Sequence, residues 1–148
     1  MIKYIPQDTS VVFSEIPDEI TLALNISNCQ NCCIGCHTPY LRENIGDELT
    51  EEVIHILIEQ NNGISCICFM GEGNDLDSLK DLAKYVHSIS DLKVALYSGR
   101  EEVENDLYDI FDYIKIGPYI ESLGPLNSKT TNQRLYKNRI DITNKFWR

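Results

Sequence analysis

The sequence has no apolar run long enough to cross a bilayer, which needs about 20 consecutive apolar residues. Its first residues, Met1-Ile-Lys-Tyr-Ile-Pro-Gln-Asp8, lack the apolar stretch and small-residue cleavage site of a signal peptide. These absences set the expectation of a cytoplasmic protein with no membrane partner. Basic residues are scarce: 13 Lys and Arg stand against 23 Asp and Glu, a formal net charge of -10. Phosphates need a basic surface, so no nucleic-acid partner is expected. Repeats, low-complexity tracts and Pro/Gly/Ser-rich linkers are also missing. The 148 residues therefore read as one domain, 1–148, and 43% hydrophobic residues suffice for an ordinary core.

Cysteine, in contrast, is plentiful, with six residues. In a cytoplasmic chain that number favours metal or redox chemistry over disulfides. Three of them are spaced C-x3-C-x2-C in Cys29-Gln-Asn-Cys-Cys-Ile-Gly-Cys36. A cubane iron–sulfur cluster bound by Cys29, Cys33 and Cys36 keeps its fourth iron open to a small molecule, and on a low-potential cluster that iron can bind and reduce S-adenosylmethionine. Two other readings use the same residues. Cys29–Cys32 and Cys33–Cys36 form C-x2-C pairs of the zinc type, but four ligands within eight residues, two of them adjacent, crowd one ion. Cys33-Ile-Gly-Cys36-His37 also satisfies the haem-attachment pattern, which operates outside the cytoplasm. The open cluster is the favoured reading, with Cys32 a bystander thiol. Cys66 and Cys68 alternate with apolar residues and are expected to be core thiols. His55 and His87 fall on helix patterns and are expected to be surface or boundary residues.

The periodicity alternates between strand and helix. Val11–Phe13 is a short strand and Ile20–Ile26 the first buried one. Thr50 is an N-cap for a helix with Val53, Ile54, Leu57 and Ile58 on one face, stopped near Gly63. Ser65–Met70 is a strand, Leu76 to Val86 a helix, Leu92–Tyr97 a strand, and Val103, Leu107 and Ile110 mark a third helix. Tyr113–Ile116 is the fourth strand, followed by a hairpin about Lys137-Asn138. The order βαβαβαβ demands a parallel sheet with right-handed crossovers. Ligands bind at the carboxyl ends of such strands. The cysteine loop, Met70-Gly-Glu-Gly73, Tyr97-Ser-Gly99 and Lys115-Ile-Gly117 all fall there. Ser98 suits either a helix N-cap or a contact to a ligand. Lys115 is a charge inside an apolar strand and either neutralises an anion or snorkels to the surface.

Together, Cys29-Gln-Asn-Cys-Cys-Ile-Gly-Cys-His-Thr-Pro39, Met70–Gly73, Tyr97–Gly99, Ile114–Gly117 and Thr131-Asn-Gln-Arg134 resemble the radical S-adenosylmethionine superfamily. Within it the chain is most similar to the activating proteins of anaerobic ribonucleoside-triphosphate reductase, on its small size, Gly35 and Asn132-Gln133-Arg134. The pieces run in order from about residue 10 to the end. The resemblance implies an α/β fold, a small open partial (β/α) barrel of parallel strands with helices outside. It implies a 4Fe-4S cluster on Cys29, Cys33 and Cys36, and S-adenosyl-L-methionine held at Gly71, Glu72, Ser98 and Lys115. The implied activity is hydrogen-atom abstraction from a glycine of the reductase, with electrons from a flavodoxin or ferredoxin and no catalytic acid or base. Met70-Gly71-Glu72-Gly73 departs from the family's G-G-E-P, and the lost proline predicts a looser turn. The alternatives are another radical S-adenosylmethionine enzyme with a different substrate, and a non-catalytic zinc-binding adaptor.

Overall fold

The computed structural model of the protein describes residues 2–28 and 43–147. Its elements are β1 (Lys3–Tyr4), β2 (Ser10–Val12), β3 (Thr21–Asn25), β4 (Asp47–Glu48), α1 (Glu51–Gln60), β5 (Cys66–Met70), α2 (Leu76–Ile89), β6 (Lys93–Tyr97), α3 (Leu107–Ile110), β7 (Tyr113–Ile116), β8 (Arg134–Lys137) and β9 (Ile140–Asp141). No helix among the described residues is long and apolar enough to cross a membrane.

The main sheet has the order β2-β3-β5-β6-β7-β8-β9. Its centre, β3-β5-β6-β7, is parallel, as the alternating pattern requires. Its flanks are not. β2 pairs antiparallel with β3, and β8 pairs antiparallel with β7. The sheet is thus mixed: residues 13–20 return the chain from β2 to β3, and the longer stretch 117–133 returns it from β7 to β8, in each case without the crossover helix that a parallel pair needs. The tail hairpin, β8 and β9, turns at Asn138 and Arg139, whose φ values are 48° and 69°. Two successive positive φ angles match the twist of a tight hairpin turn. A separate antiparallel pair, β1 with β4, has no counterpart in the sequence reading; its two-residue strands are too short to carry a period.

Helix signals translate directly in α1 and α2. The Thr50 hydroxyl accepts from the Val53 amide, and Glu51 and Glu52 occupy the first turn. Asp75 caps α2 through the Ser78 amide. The expected third helix shrinks to the single turn α3. The residues before it serve other partners: Glu104 pairs with Arg100 and Asp106 with Lys80. Asp106, at the start of α3, makes no side-chain cap.

Strand alternation sorts the core into two faces. Leu22, Leu24, Ile67, Phe69, Val94, Leu96 and Ile114 pack in one cluster with Ile54 of α1 and Leu79, Leu82, Ala83 and Val86 of α2. Phe69 meets Phe111 edge-on, with ring centroids 6.4 Å apart. That contact contributes about 0.5–1.5 kcal/mol beyond burial. The opposite face carries smaller groups, Cys66, Cys68 and Ala95, with Tyr113 and Leu135, and Ile16 packs against them. Cys66 and Cys68 are free, buried thiols, as expected from their alternation. Burial pushes the Cys66 thiol up to about 12, so it is an inert core group at neutral pH. The helices therefore cover one face, while toward the carboxyl ends of its strands the other borders a cavity.

Candidate functional site

The described residues on either side of the cysteine-bearing stretch meet at one point. Asn28 lies just past β3, and its amide donates to the Glu43 carbonyl at 3.0 Å. Its side-chain Nδ2 donates to Asn44 Oδ1, also at 3.0 Å. Residues 28 and 43 are thus joined at the carboxyl end of β3, next to β5, where the Ile26 amide donates to the Met70 carbonyl. Cys29, Cys32, Cys33 and Cys36 lie between them, outside the described residues.

Three of the other expected segments meet at the same rim. Glu72 follows β5, and its carboxylate is buried. Ser98 Oγ donates to Glu72 Oε2 at 2.7 Å. Arg100 approaches the same carboxylate as a fork, Nε to Oε2 at 2.8 Å and Nη2 to Oε1 at 2.6 Å. The other edge of the guanidinium binds Glu104 at 2.9 and 2.8 Å. Hydrogen bonds from Arg100 hold the Glu104 carboxyl down at about 2, and Glu104 and Glu72 raise the guanidinium further above its ordinary range. Ser98 is not a helix N-cap. Its Oγ accepts from the Arg100 amide two residues on, closing a local turn.

Lys115 does not snorkel; it is 7% exposed. Its Nζ donates to the Ser98 carbonyl at 3.0 Å and the Gly117 carbonyl at 2.9 Å. It lies 5.7 Å from the Tyr97 ring centroid. Gln133 Nε2 donates to the Gly117 carbonyl as well, at 3.3 Å, and Asn132 Nδ2 to the Pro118 carbonyl at 3.0 Å. The tail motif Asn132-Gln133 therefore fastens the turn that follows β7. Sequence alone assigned it no role, because the link bridges residues far apart in the chain.

Lys115, Tyr97 and Gln133 line a cavity of about 940 Å³. Tyr119, Leu126 and Phe146 form apolar wall, and Phe13, 70% exposed, stands at its edge. Lys115 thus brings a buried ammonium to the border of a largely apolar cavity, a combination suited in general to pairing with an anionic group. Glu72 and Ser98 do not line it; their side chains are engaged with each other and with Arg100. The structure thus gathers Glu72, Ser98 and Lys115 at one rim but divides their roles.

The turn after β5 corrects the expectation of looseness. Gly71 has φ 116° and Gly73 φ 65°. A Cβ on Gly73 would meet Ile26 Cγ2 at 3.0 Å, Ile2 Cδ1 at 3.1 Å and the Ser27 carbonyl at 3.2 Å. The turn is packed, and it uses a backbone angle that proline, fixed near about -65°, cannot adopt. Gly73→Pro is expected to lower stability by roughly 3 kcal/mol through that mismatch. A thermal unfolding midpoint equal to that of the parent protein would contradict this geometry.

Arg100 is the main residue that sequence reading missed. Its signal was Glu104 four residues on, a spacing that reads as an ordinary surface pair. The chain matches no protein-family model, no curated protein and no solved structure.

Proposed function

We propose that this protein is a radical S-adenosylmethionine activating enzyme whose substrate is a glycine of an anaerobic ribonucleoside-triphosphate reductase. In this reading the mixed sheet, with helices on one face, is a small open partial (β/α) barrel. The observation that carries the reading is the carboxyl rim. Asn28 and Glu43, which flank in sequence the stretch with the C-x3-C-x2-C thiols, are hydrogen-bonded to each other there. The same rim holds a glycine turn and a buried lysine bordering a cavity.

The donor set fits the group. Cys29, Cys33 and Cys36 supply the three thiolates of a 4Fe-4S cluster that keeps one iron open. Lys115 pairs with the carboxylate of S-adenosyl-L-methionine, and the backbone at Gly71 and Glu72 offers its carbonyls to the amino group. The Ser98 hydroxyl is committed to Glu72, so Ser98 serves through its carbonyl, which orients Lys115. When bound, the cluster and S-adenosyl-L-methionine would supply one-electron radical chemistry able to remove a hydrogen atom from the substrate glycine. The chain orients the reacting groups and excludes water, and needs no side-chain acid or base. A flavodoxin or ferredoxin is the proposed reductant.

The wide cavity with exposed Phe13 at its edge suits a protein substrate, whose own segment completes the open side. The test is anaerobic incubation of the reduced, iron-loaded protein with S-adenosyl-L-methionine and the reductase. Release of 5′-deoxyadenosine with a glycyl radical on the reductase supports the reading. Cofactor cleavage that leaves the reductase radical-free points instead to a different substrate. Stoichiometric zinc without sulfide and without cleavage points to an adaptor.

A further inference from the structure

Arg100 is more than a surface arginine paired with Glu104. Its side chain reaches back to the turn after β5 through Glu72. Its own amide closes the turn after β6 on Ser98 Oγ. Its carbonyl accepts from the Gly117 amide at 2.6 Å, in the turn after β7. Lys115 then ties the Ser98 and Gly117 carbonyls together from the cavity side. One residue thus joins three successive strand ends, and the lysine that faces the cavity is anchored on two of the turns it joins. The guanidinium suits this task because its planar fork gives two parallel bonds to each of two carboxylates, which an ammonium cannot do.

We propose that Arg100 is the positioning residue of the rim. Through Glu72 it fixes the Gly71–Gly73 backbone, and through Ser98 and Gly117 it fixes the Lys115 ammonium, so that both ends of an amino-acid moiety meet preset partners. The inference rests on the proposed binding of S-adenosyl-L-methionine for its functional half. Its structural half, the joining of the three turns, stands on the contacts alone.

The test uses the full chain and three variants, Arg100→Met, Arg100→Lys and Asp112→Ala. Asp112 lies at the opposite ends of the strands, where it accepts from the Val94 amide and contacts His87, so its loss destabilises without touching the rim. Amide hydrogen exchange is read first. Arg100→Met is expected to speed exchange at Gly117 and in residues 71–73 by at least about tenfold relative to Asp112→Ala, with β5 itself unchanged. Unchanged exchange at these amides overturns the proposal. S-adenosyl-L-methionine affinity of the iron-loaded proteins is read second. Arg100→Met should bind about tenfold or more weakly, Arg100→Lys should fall between it and the parent, and Asp112→Ala should bind as the parent does. An affinity loss that merely follows the drop in unfolding temperature across all three variants overturns the positioning role. Failure of the parent protein to bind the cofactor is a separate result: it removes the functional half, while the exchange data still decide whether Arg100 joins the turns.

Discussion

Cys29→Ala, Cys33→Ala and Cys36→Ala are each expected to remove the iron–sulfur cluster, taking iron from about four atoms per chain to near zero. Cys32→Ala is expected to retain it. The contrast follows from the spacing: three thiolates at C-x3-C-x2-C complete the ligand set, and Cys32 has ligands on both sides of it in sequence. Cys66 and Cys68 cannot substitute for a missing ligand. They are buried on one face of the sheet, and burial raises both thiols well above the range in which a thiolate is available. Iron and sulfide analysis after anaerobic reconstitution, with the spectrum of the reduced protein, reads the result. Equal loss in the Cys32 variant would sink this ligand assignment and favour a site that uses all four cysteines.

Lys115→Met should have the next largest effect, a loss of about 10- to 100-fold in S-adenosyl-L-methionine affinity with the cluster intact. That range corresponds to the roughly 1.5–3 kcal/mol of a hydrogen bond to a charged partner. Methionine keeps most of the volume but leaves the Ser98 and Gly117 carbonyls without the ammonium that now donates to both. The rim should therefore loosen as well as lose its charge. Titration of the cofactor against the reduced cluster measures the effect. A variant that folds, loads iron and binds as the parent does would remove Lys115 from the site.

Much of the fold was legible in local pattern. The Thr50 cap, the amphipathic faces of α1 and α2, and the apolar runs of the four strands, which are buried almost throughout, could each be read locally. The parallel order of β3, β5, β6 and β7 followed from alternating elements, because that connectivity leaves few topologies open. The β1–β4 pair was not legible, since each strand has only two residues and the pairing joins distant parts of the chain. The shortening of the third helix was hidden for a related reason. Val103, Leu107 and Ile110 have helical spacing, but Glu104 and Asp106 are held by Arg100 and Lys80, neither of which the periodicity weighs.

The candidate site was legible as a place but not as a set of contacts. Glycine-bearing strand ends pointed to the rim, and Lys115 stood out as a charge within an apolar strand. Its burial and its two carbonyl partners required the register of β6 against β7, in which Tyr97 lies beside Lys115. Glu72 was read through its backbone. Its carboxylate proves to be the anchor for Arg100, a partner 28 residues away. The departure from G-G-E-P was legible as a change but not in its sense. At φ 65° Gly73 is the residue this turn calls for, and the sequence could not reveal that angle.

The most direct measurement of the central claim is electron paramagnetic resonance on the reductase after reaction with the reduced protein and S-adenosyl-L-methionine, using reductase labelled with deuterated glycine. The account predicts a glycyl radical on the reductase, one 5′-deoxyadenosine per radical, and deuterium carried into that 5′-deoxyadenosine. An iron-loaded protein that leaves the cognate reductase without a radical, or a radical formed with no label in 5′-deoxyadenosine, would contradict it.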